Sequence, residues 1–385
     1  MRVLSVVVSL DPELGGTQAA ATQMTRATQR AGVSNTVVTA ATPAARERAG
    51  AYVRRLEADG VEVIQFPATR WLPGADKLGL SLPAMWWLAR RAGGYDVVHV
   101  HGVWGLTLLA ALAAARLRGI PIVVTPHESL TAIDIETSQN ALRQSFKLAL
   151  RTIYLRCTTV FVVNSQLEAD TSVPEADAAR VRVAYHPVVE PGAPAALPMT
   201  RGTGEGLRVG FLGRLHPKKN LALVIDALAQ VPDHVVLVVA GGGPLLEDMQ
   251  QHARQRGVTK RVEWLGFVSP DERDRFLAGI DVLVMPSTFE SFGMSAAEAM
   301  LAGVPVIVSE TTGIAEVIHR HDAGVVVAPD AESVATAILR LDADRDALTA
   351  LAVAGAEAVR DELSLEHAGA VLKDAYLGAQ ALSIG

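Results

Sequence analysis

Two glutamates, Glu290 and Glu298, lie eight positions apart in the stretch FESFGMSAAEAM. The small residues that follow Gly293 predict a helix beginning near this glycine, so that Glu290 precedes the helix and Glu298 lies one turn inside it. The backbone N–H groups around Gly293, Met294 and Ser295 would then be helix-start donors, which can bind a phosphate. An ordinary capped helix is the alternative, because acidic residues are favoured near any helix start.

The spacing of the two carboxylates suits a ligand that carries hydroxyl groups on either side of a phosphate. Glu298 could accept hydrogen bonds from the two vicinal hydroxyls of a ribose, and Glu290 could accept them from the hydroxyls of a sugar. Eight helical residues span roughly 12 Å, which is comparable with the distance from a ribose through a diphosphate to a sugar. The stretch therefore predicts a nucleotide-sugar site.

A pair of cations follows another predicted strand. In GRLHPKKN, Arg214 and Lys219 come directly after the apolar run LRVGFLG, where two cations suit a diphosphate. Each charge-assisted hydrogen bond would contribute roughly 1.5 to 3 kcal/mol. A solvated basic turn is the alternative, but it leaves unexplained the GGGP at 241–244 and the GFV at 266–268. GxGxxG follows no predicted strand, and GxxxxGK with Ser or Thr is also missing, which argues against a dinucleotide oxidoreductase and a P-loop enzyme.

Apolar, β-branched runs that alternate with helical patterns position these residues. Seven such runs fall in residues 3–185 and six in residues 207–329, which is typical of parallel sheets covered by helices on both faces. A Pro- and Gly-rich stretch at 189–206 predicts a linker. We therefore expect two doubly wound domains, 1–188 and 207–364, with ligands bound in a cleft beyond the carboxyl ends of the strands.

The composition limits the functional classes. The chain has 385 residues, half of them hydrophobic, and a net charge of −6, without the strongly basic balance of a nucleic-acid binder. Asp11 and Pro12 interrupt the first apolar run too early for a signal peptide, and the longest run elsewhere, 106–115, is too short to span a bilayer, so we expect a cytoplasmic protein. The single cysteine, Cys157, excludes an intramolecular disulfide and a cysteine-built metal site.

The segment 140–156, NALRQSFKLALRTIYLR, combines a basic and an apolar stripe. The basic stripe comprises Arg143, Lys147 and Arg151, and the apolar stripe comprises Leu142, Phe146 and Leu150. Such a helix could make a peripheral contact with an anionic membrane surface. The alternative is a helix whose apolar stripe faces the core and whose basic edge is solvated.

Together these motifs resemble the GT-B glycosyltransferases of family 4, which are retaining enzymes that use nucleotide-diphosphate sugars. GRLHPKKN resembles the family element GRL-x-x-x-K-N/G, AGGGPLLEDM its AGxGP element and EWLGFV its base-pocket turn. ESFGMSAAE matches the family's E-x7-E motif, and GGTQ, residues 15–18, resembles its Gly-Gly loop. The resemblance covers nearly the whole chain. It implies the GT-B fold, an α/β architecture of two Rossmann-like domains facing a central cleft, with a C-terminal helix, 365–385, that crosses back to the first domain.

The resemblance implies a role for each matched residue. Arg214 and Lys219 would neutralise the donor diphosphate, Glu298 would hold the ribose and Glu290 the transferred sugar. Gly16 would let a loop of the first domain close over the phosphates. The implied donor-binding residues are Gly16, Gly213, Arg214, Lys219, Gly242, Gly266, Phe267, Val268, Glu290, Phe292, Gly293, Met294, Ser295 and Glu298.

Two histidines are candidates for the reacting end of the site. His127, in VTPHESL, matches the histidine that the family places beside the sugar, and it joins Arg214, Lys219 and Glu290 in the implied catalytic set. Glu128 stands where many relatives carry Gly or Asp. His101, in VHVHG, is a second candidate, although a purely structural role is open for each histidine. The acceptor-side candidates are Gly15, His101 and Glu128.

The resemblance implies the transfer of a hexose or N-acetylhexosamine with retention, in which the leaving diphosphate oxygen takes the acceptor proton. The acceptor would be a carbohydrate, a lipid-linked or a small molecule, in polysaccharide or glycoconjugate biosynthesis. Neither a cofactor nor a metal is implied, and nucleic acid is not an expected partner. A nonhydrolysing nucleotide-sugar 2-epimerase and a two-domain binding protein are the alternatives. The sequence does not decide between UDP, GDP and ADP as the nucleotide.

Overall fold

The computed structural model describes residues 1–69, 79–132, 135, 140–174, 176–190 and 206–384. The chain forms two compact units. Unit 1 consists of Met1–Pro187 together with Leu365–Gly385, and unit 2 consists of Val188–Ser364. Most of the predicted linker, residues 191–205, lies outside the described residues, and so does the side chain of Leu142.

Unit 1 is built on a parallel sheet of seven strands in the order β3-β2-β1-β4-β5-β6-β7. The strands are β1 (Arg2–Val7), β2 (Ser34–Ala41), β3 (Glu62–Pro67), β4 (Val97–His101), β5 (Ile122–Thr125), β6 (Val160–Val163) and β7 (Val181–Val183). Successive residues of a strand point to opposite faces. Leu4 and Val6 accordingly pack in one apolar cluster with Leu108, whereas Val3 packs in another with Met24. Burial of both faces explains why the strands read as nearly continuous apolar runs.

The helices of unit 1 between these strands begin at residues that favour helix starts. They are α1 (Gly16–Arg30), α2 (Pro43–Arg48), α3 (Gly50–Ala58), α4 (Leu82–Arg91), α5 (Leu106–Arg116), α6 (Ala141–Cys157) and α7 (Gln166–Ser172). Four of them are capped by a side-chain oxygen that accepts from the N–H three residues further on. The capping residues are Thr42, Ser81, Asn140 and Ser165. Each such cap contributes about 1 kcal/mol to the helix.

Unit 2 repeats the architecture with a six-stranded parallel sheet in the order β10-β9-β8-β11-β12-β13. The strands are β8 (Arg208–Leu212), β9 (Val236–Ala240), β10 (Val262–Gly266), β11 (Val282–Met285), β12 (Val306–Ser309) and β13 (Val325–Val327). The thirteen apolar runs of the sequence all form strands. The prediction of two doubly wound α/β units is therefore confirmed.

The helices of unit 2 cover this sheet. They are α8 (Leu221–Leu228), α9 (Leu246–Gln255), α10 (Pro270–Ala278), α11 (Met294–Leu301), α12 (Ala315–His321), α13 (Ala331–Ala343) and α14 (Arg345–Glu362). An apolar cluster joins strand residues such as Val209 and Val284 to helix residues such as Val224, Ile338 and Leu348. The predicted donor residues lie mainly in the loops at the ends of the strands.

The last helix, α15 (Leu365–Ile384), belongs to unit 1 and packs on α1. Gly369 permits the close approach, because a Cβ atom there would lie 2.4 Å from the carbonyl oxygen of Ala27. The hydroxyl of Tyr376 lies 2.8 Å from His99 Nδ1, and the ammonium of Lys373 donates to the carbonyl oxygen of Ala31. The end of the chain thus supplies part of the interior of unit 1.

The interpretation of segment 140–156 as an apolar stripe facing the core with a solvated basic edge is right only in part. In α6, Leu150 of the apolar stripe is buried and Arg143 of the basic stripe is exposed. Lys147 of the basic stripe is buried as well, and its ammonium lies 5.1 Å from the centre of the Trp104 ring. Phe146, which belongs to the predicted core-facing stripe, is 53% exposed, and Ile153 is 43% exposed. The aliphatic stem of a lysine packs well against apolar neighbours, and its ammonium is attracted to an aromatic face, so the helix turns a different side inward. None of the helices in the described ranges has the length and apolar character needed to cross a membrane.

Substitution of Gly369 tests the packing of α15 on α1. Gly369→Ala should lower the free energy of unfolding by about 1 to 3 kcal/mol, because the new methyl group overpacks the contact with the Ala27 carbonyl. Gly378→Ala in the same helix is the matched control. Its Cβ would meet nothing nearer than 3.6 Å, so it should be neutral or stabilising by up to about 1 kcal/mol. Urea unfolding of both variants measures the difference, and equal stability of the two would contradict the tight packing.

Candidate active site

Three loops meet backbone to backbone at the carboxyl ends of neighbouring strands in unit 2. The N–H of Leu215 donates to the carbonyl oxygen of Gly242 at 2.9 Å, and the N–H of Gly241 donates to that of Gly266 at 2.7 Å. A Cβ atom on Gly241 would lie 1.8 Å from the carbonyl oxygen of Gly213, so only glycine permits this contact. The predicted donor-site glycines therefore lie on adjoining loops.

The basic turn after β8 presents its cations from a short, well-defined loop. A 3-10 turn, Pro217–Lys219, follows His216, and Asn220 adopts a left-handed conformation with φ 55° before α8 begins. Arg214 is exposed, and it forms no ion pair within the part of the chain that the structure describes. Lys219 is partly buried, and its Nζ lies 2.6 Å from Glu290 Oε1. The turn thus offers one exposed guanidinium and one ammonium already held by a carboxylate.

Backbone hydrogen bonds on two sides fix the loop that carries Glu290. The N–H of Glu290 donates to the carbonyl oxygen of Thr311, and its own carbonyl oxygen accepts from Gly313, each at 3.0 Å. Two residues earlier, the N–H of Thr288 donates to the carbonyl oxygen of Lys218 at 2.9 Å. The loop is therefore tied both to the basic turn and to the segment after β12. These ties explain why Lys219 and Glu290 meet.

Gly293 starts α11 in a conformation that other residues rarely adopt. Its φ is 113°, and a Cβ atom there would lie 2.6 Å from Met285 Cε and 3.1 Å from Ile314 Cγ2. Phe292 beside it is buried, and its carbonyl oxygen accepts from the N–H of Ile314 at 2.7 Å. The first N–H groups of an α-helix have no acceptor inside the helix. The start of α11, which includes Met294 and Ser295, thus lies beside Glu290 as the sequence predicts.

Glu298, one turn into α11, forms an ion pair that the sequence analysis missed. Arg273, on α10, places its Nη1 3.0 Å from Glu298 Oε1. Burial raises the pKa of the Glu298 carboxyl, and the guanidinium of Arg273 opposes this shift. Arg273 lies in the helix that follows the turn Gly266 to Val268. That proximity in the sequence is the only signal that could have linked it to the donor site.

The turn at residues 266–268 carries an unusually exposed aromatic residue. Gly266 has a left-handed φ of 71°, and the side chain of Phe267 is 87% exposed in unit 2. Single exposed apolar side chains are common on protein surfaces, so it is the position of this ring, directly after β10, that matters. The predicted base-pocket turn therefore offers an apolar ring next to the strand-end glycines.

In unit 1, the loop after β5 has two successive residues in the left-handed conformation. They are His127 with φ 51° and Glu128 with φ 69°, an arrangement that costs free energy in residues other than glycine. The N–H of Glu128 donates to Glu168 Oε1 at 2.7 Å. The Glu168 carboxylate is completely buried, and it also accepts from the N–H and the side-chain amide of Asn164.

Four imidazole rings form a row in unit 1. The ring centres of His99 and His101 lie 4.0 Å apart, those of His101 and His127 5.8 Å, and those of His127 and His186 5.5 Å. His99 lies between the hydroxyls of Tyr376 and Thr125. His101 is buried behind His127, and neither of its ring nitrogens has a hydrogen-bond partner within the described residues.

The two glycines of the N-terminal loop, Gly15 and Gly16, differ in whether the fold of unit 1 requires a glycine at that position. Gly15 has φ 119° and precedes α1, whereas a Cβ atom on Gly16 would meet nothing within 4 Å. The loop before them is anchored by Asp11, whose buried carboxylate pairs with Arg48 and thereby has a lowered pKa. The positive φ explains why position 15 is a glycine. The fold of unit 1 gives no reason for a glycine at position 16.

Comparisons with known proteins identify the family of this chain. A model described as "Glycosyl transferases group 1" matches residues 203–358, and one described as "Glycosyl transferase 4-like domain" matches residues 15–189. The 2-deoxystreptamine glucosyltransferase of Streptomyces kanamyceticus is 31% identical over 301 residues, which cover 72% of this chain and 76% of that protein. The chain belongs to the GT-B glycosyltransferases of family 4.

Two further proteins, one compared by sequence and one by structure, are similar to this glycosyltransferase. A GDP-mannose-dependent alpha-(1-6)-phosphatidylinositol monomannoside mannosyltransferase of Mycobacterium tuberculosis is 34% identical over 203 residues, 50% of this chain and 53% of that protein. The crystal structure of Anabaena Alr3699/HepE in complex with UDP superposes with a TM-score of 0.74 at 21% identity, covering 97% of this chain and 99% of that one. At this identity the superposition shows the fold, which is the GT-B fold.

The predicted site residues of the glycosyltransferase fall into two groups, one in each unit. Unit 2 holds all the residues predicted for the donor except Gly16, and unit 1 holds Gly15, Gly16, His101, His127 and Glu128. Sequence reasoning missed His186, which follows β7 in the stretch VAYHP and stacks on His127. A polar residue directly after an apolar run was the available signal, and it was not used.

Burial strongly perturbs the histidine row of the glycosyltransferase. Burial lowers the pKa of His99 to about 3 and that of His186 to about 4, and it lowers the pKa values of His101 and His127 well below the ordinary value. Burial also raises the pKa of Glu168 to about 7, against the opposing effect of its hydrogen bonds. Near neutral pH the row is therefore neutral, and its rings stack without charge repulsion.

Acid should destabilise unit 1, because the four histidines of the row stay neutral while the unfolded chain takes up protons below about pH 6.5. Each should cost about 1.4 kcal/mol per pH unit below that value, and together about 5.5 kcal/mol at pH 5.5. Glu168 binds its proton more tightly in the folded state, so it should offset about 2 kcal/mol of this loss. Urea unfolding at pH 7.5 and 5.5 measures the net change. His186→Gln should reduce the difference between the two pH values, whereas the exposed His319→Gln should not; identical wild-type midpoints at both pH values would contradict the argument.

Proposed function

We propose that this glycosyltransferase moves a hexose or N-acetylhexosamine from a nucleotide-diphosphate sugar to a carbohydrate, lipid-linked or small-molecule acceptor, with retention of configuration and without a metal ion. The observation that supports this most directly is the ion pair of Lys219 and Glu290 beside the start of α11. It places an ammonium, a carboxylate and a set of helix-start N–H groups within one small region. Such a group can bind a diphosphate and, next to it, the hydroxyls of a sugar.

The basic turn supports the proposed binding of the diphosphate. Arg214 is exposed and available, while Lys219 is held by Glu290, with Lys218 Nζ 3.9 Å from the same carboxylate oxygen. A bound diphosphate would compete with Glu290 for Lys219. When the bond to the sugar breaks, negative charge increases on the diphosphate, so these cations would stabilise the transition state more than the ground state.

The ribose would be held by Glu298. An ionised carboxylate has only acceptors, so it can take hydrogen bonds from two vicinal hydroxyls at once. Burial opposes ionisation of Glu298, and Arg273 favours it through the 3.0 Å contact. We therefore assign to Arg273 the task of keeping Glu298 charged and oriented. The exposed ring of Phe267 would be covered by the base.

At the other end of the diphosphate, the transferred sugar would contact Glu290, and His127 of unit 1 would lie beside it. In the proposed front-face reaction, the acceptor oxygen forms its bond to the anomeric carbon on the side from which the diphosphate departs. The leaving oxygen of the diphosphate takes the proton of the acceptor. No protein group then needs to act as a nucleophile, and catalysis depends on charge stabilisation and positioning.

The relatives support a nucleotide donor, but they differ in the nucleotide. One is a glucosyltransferase, one depends on GDP-mannose, and one structural neighbour binds UDP. A thermal-shift series with UDP, GDP and ADP should select one nucleotide, because a bound ligand stabilises the folded state by mass action. Transfer assays with the matching sugars, run with and without EDTA, should then give the same rate. Loss of activity that magnesium or manganese restores would contradict metal independence.

The same assay tests the reaction class. Proton NMR of the product should show the anomeric configuration of the donor, and an inverted product would refute retention. Release of the nucleoside diphosphate should require an acceptor. Conversion of the donor sugar to its 2-epimer without an acceptor would favour the epimerase alternative. The assay therefore separates transfer from isomerisation.

Calorimetric titration should distinguish the two glutamates. Glu298→Gln should weaken binding of the preferred nucleoside diphosphate by about 10-fold, equivalent to about 1.4 kcal/mol, because that ligand contains the ribose. Glu290→Gln should leave this affinity unchanged or higher, since it releases Lys219, while lowering kcat by about 10- to 100-fold. Glu332→Gln is the control, because Glu332 is an exposed glutamate in the first turn of another helix of unit 2, α13. Equal affinity losses in the first two variants would contradict the assignment.

We further propose that α6 makes a peripheral contact with anionic membranes. Its outer side exposes Phe146 and Ile153, one turn on either side of Ala149, with Arg143 and Arg156 also exposed. An apolar stripe flanked by cations is what binds a membrane surface. Anionic vesicles should therefore stimulate transfer to a lipid-linked acceptor by the wild type and less by Phe146→Ser. Equal stimulation of both would exclude this contact.

A further inference from the structure

The Glu168 carboxylate is a buried acidic group for which the proposed reaction has no use. It is completely buried, and within the described part of the chain no cation pairs with it. Its nearest charged influence is another acid, Glu128, which adds to the effect of burial in raising the pKa of Glu168. Burying an unpaired carboxylate is expensive, so this residue is a poor choice for stability alone.

The hydrogen bonds of Glu168 all come from loops at the carboxyl ends of strands. Oε2 accepts from the backbone N–H of Asn164 at 2.7 Å and from its side-chain amide at 2.8 Å. Oε1 accepts from the backbone N–H of Glu128 at 2.7 Å, across 40 positions of sequence. Glu168 also stands three residues after the helix cap Ser165, whose hydroxyl accepts from its N–H. The carboxylate thus joins the start of α7 to the loop after β5.

The loop that Glu168 holds is the one that bears His127. Two successive non-glycine residues with positive φ persist only when the surroundings determine their conformation. The bond from Glu128 N–H to Glu168 lies inside this pair, and the next turn is closed by the N–H of Thr131, which donates to the carbonyl oxygen of Glu128 at 3.0 Å. The backbone conformation of His127 decides where its ring points. That ring stacks between His101 and His186, and its Nε2 has no hydrogen-bond partner within the described ranges.

We propose that Glu168 is a positioning residue for His127: its carboxylate holds the left-handed pair His127 and Glu128 and so directs the imidazole toward the transferred sugar. This inference rests on the proposed function, because it assumes that His127 acts at the sugar. Three N–H groups that point at one carboxyl group require acceptors on both oxygens. A glutamine cannot supply them, because its amide nitrogen would face one of the donors. Glu168→Gln should therefore release one side of the contact at nearly constant volume.

The proposal predicts that Glu168→Gln changes kcat and leaves donor binding nearly unchanged. Glu168→Gln should lower kcat by about 10- to 100-fold, since a displacement of about 1 Å at a reacting group can cost that much. The KM for the donor and the affinity for the nucleoside diphosphate should stay within about twofold, because the residues proposed to bind them lie in unit 2. Asp170→Asn is the matched control. Asp170 lies exposed on the same helix, and its side chain bonds to Gln166 and to no other residue of the described ranges, so this variant should keep the wild-type kcat.

A double-mutant cycle separates positioning of His127 from general destabilisation. In the His127→Ala background, Glu168→Gln should reduce kcat by less than threefold further, because the group that it positions is already gone. A second cycle uses Glu128→Gly, since glycine adopts a positive φ without help. In that background the loss caused by Glu168→Gln should shrink to a few-fold. This pair also serves if Glu168→Gln alone does not fold, because the glycine removes the strain.

Two kinetic results and one NMR result would overturn the proposal. A folded Glu168→Gln variant with wild-type kcat would refute it, and so would an equal loss of kcat in the wild-type and His127→Ala backgrounds. If the wild type transfers no sugar to any acceptor, the proposed function fails, and NMR of the imidazoles decides the positioning claim separately. Glu168→Gln should then shift the ring resonances of His127, while Asp170→Asn leaves them in place. Unchanged His127 resonances would refute the positioning role whatever the activity.

Discussion

The burial of both faces of each parallel sheet is the constraint from which the placement of the functional residues follows. A strand covered by helices on both sides favours apolar residues, so most of the charged residues lie in the loops at its ends. In unit 2 these loops carry Arg214, Lys219 and Glu290, and glycines let them touch through their backbones. In unit 1, β4 departs from this pattern, because its His99 and His101 are buried. His99 is accommodated there by the hydroxyls of Thr125 and Tyr376.

The fold was predictable from the sequence because its signals are local. Alternation of apolar runs and helical patterns located each strand of the described residues, and the glycines and cations after those runs were predicted to bind the donor. The contacts between Arg273 and Glu298, and between Glu128 and Glu168, join residues 25 and 40 positions apart. They depend on which loops become neighbours, which no local pattern reveals. The prediction for α6 failed in part for another reason, because Lys147 has a stem long enough to be buried while its ammonium contacts Trp104.

Three glutamates illustrate how the surroundings assign different tasks to one functional group. Glu290 contacts an ammonium at the end of a strand, where a competing anion can take that ammonium away. Glu298 is more enclosed, and a single guanidinium opposes the effect of its burial. Among the described residues, Glu168 accepts from N–H donors and pairs with no cation. A carboxylate is thus paired with a cation in the first two positions and held by N–H groups in the third, although the side chain is the same.

Unit 1 is built from two distant parts of the chain, and this affects the order in which the two units can fold during synthesis. Residues such as Val3, Val97, Val123 and Val160 share an apolar cluster with Leu372 and Tyr376 of α15. A ribosome delivers α15 only after the whole of unit 2 has been synthesised. Until then that face of the first sheet is uncovered, and an exposed apolar sheet face is prone to aggregate. Unit 2, which is one continuous segment, can complete its core earlier, so the half of the enzyme that begins first is the half that finishes last.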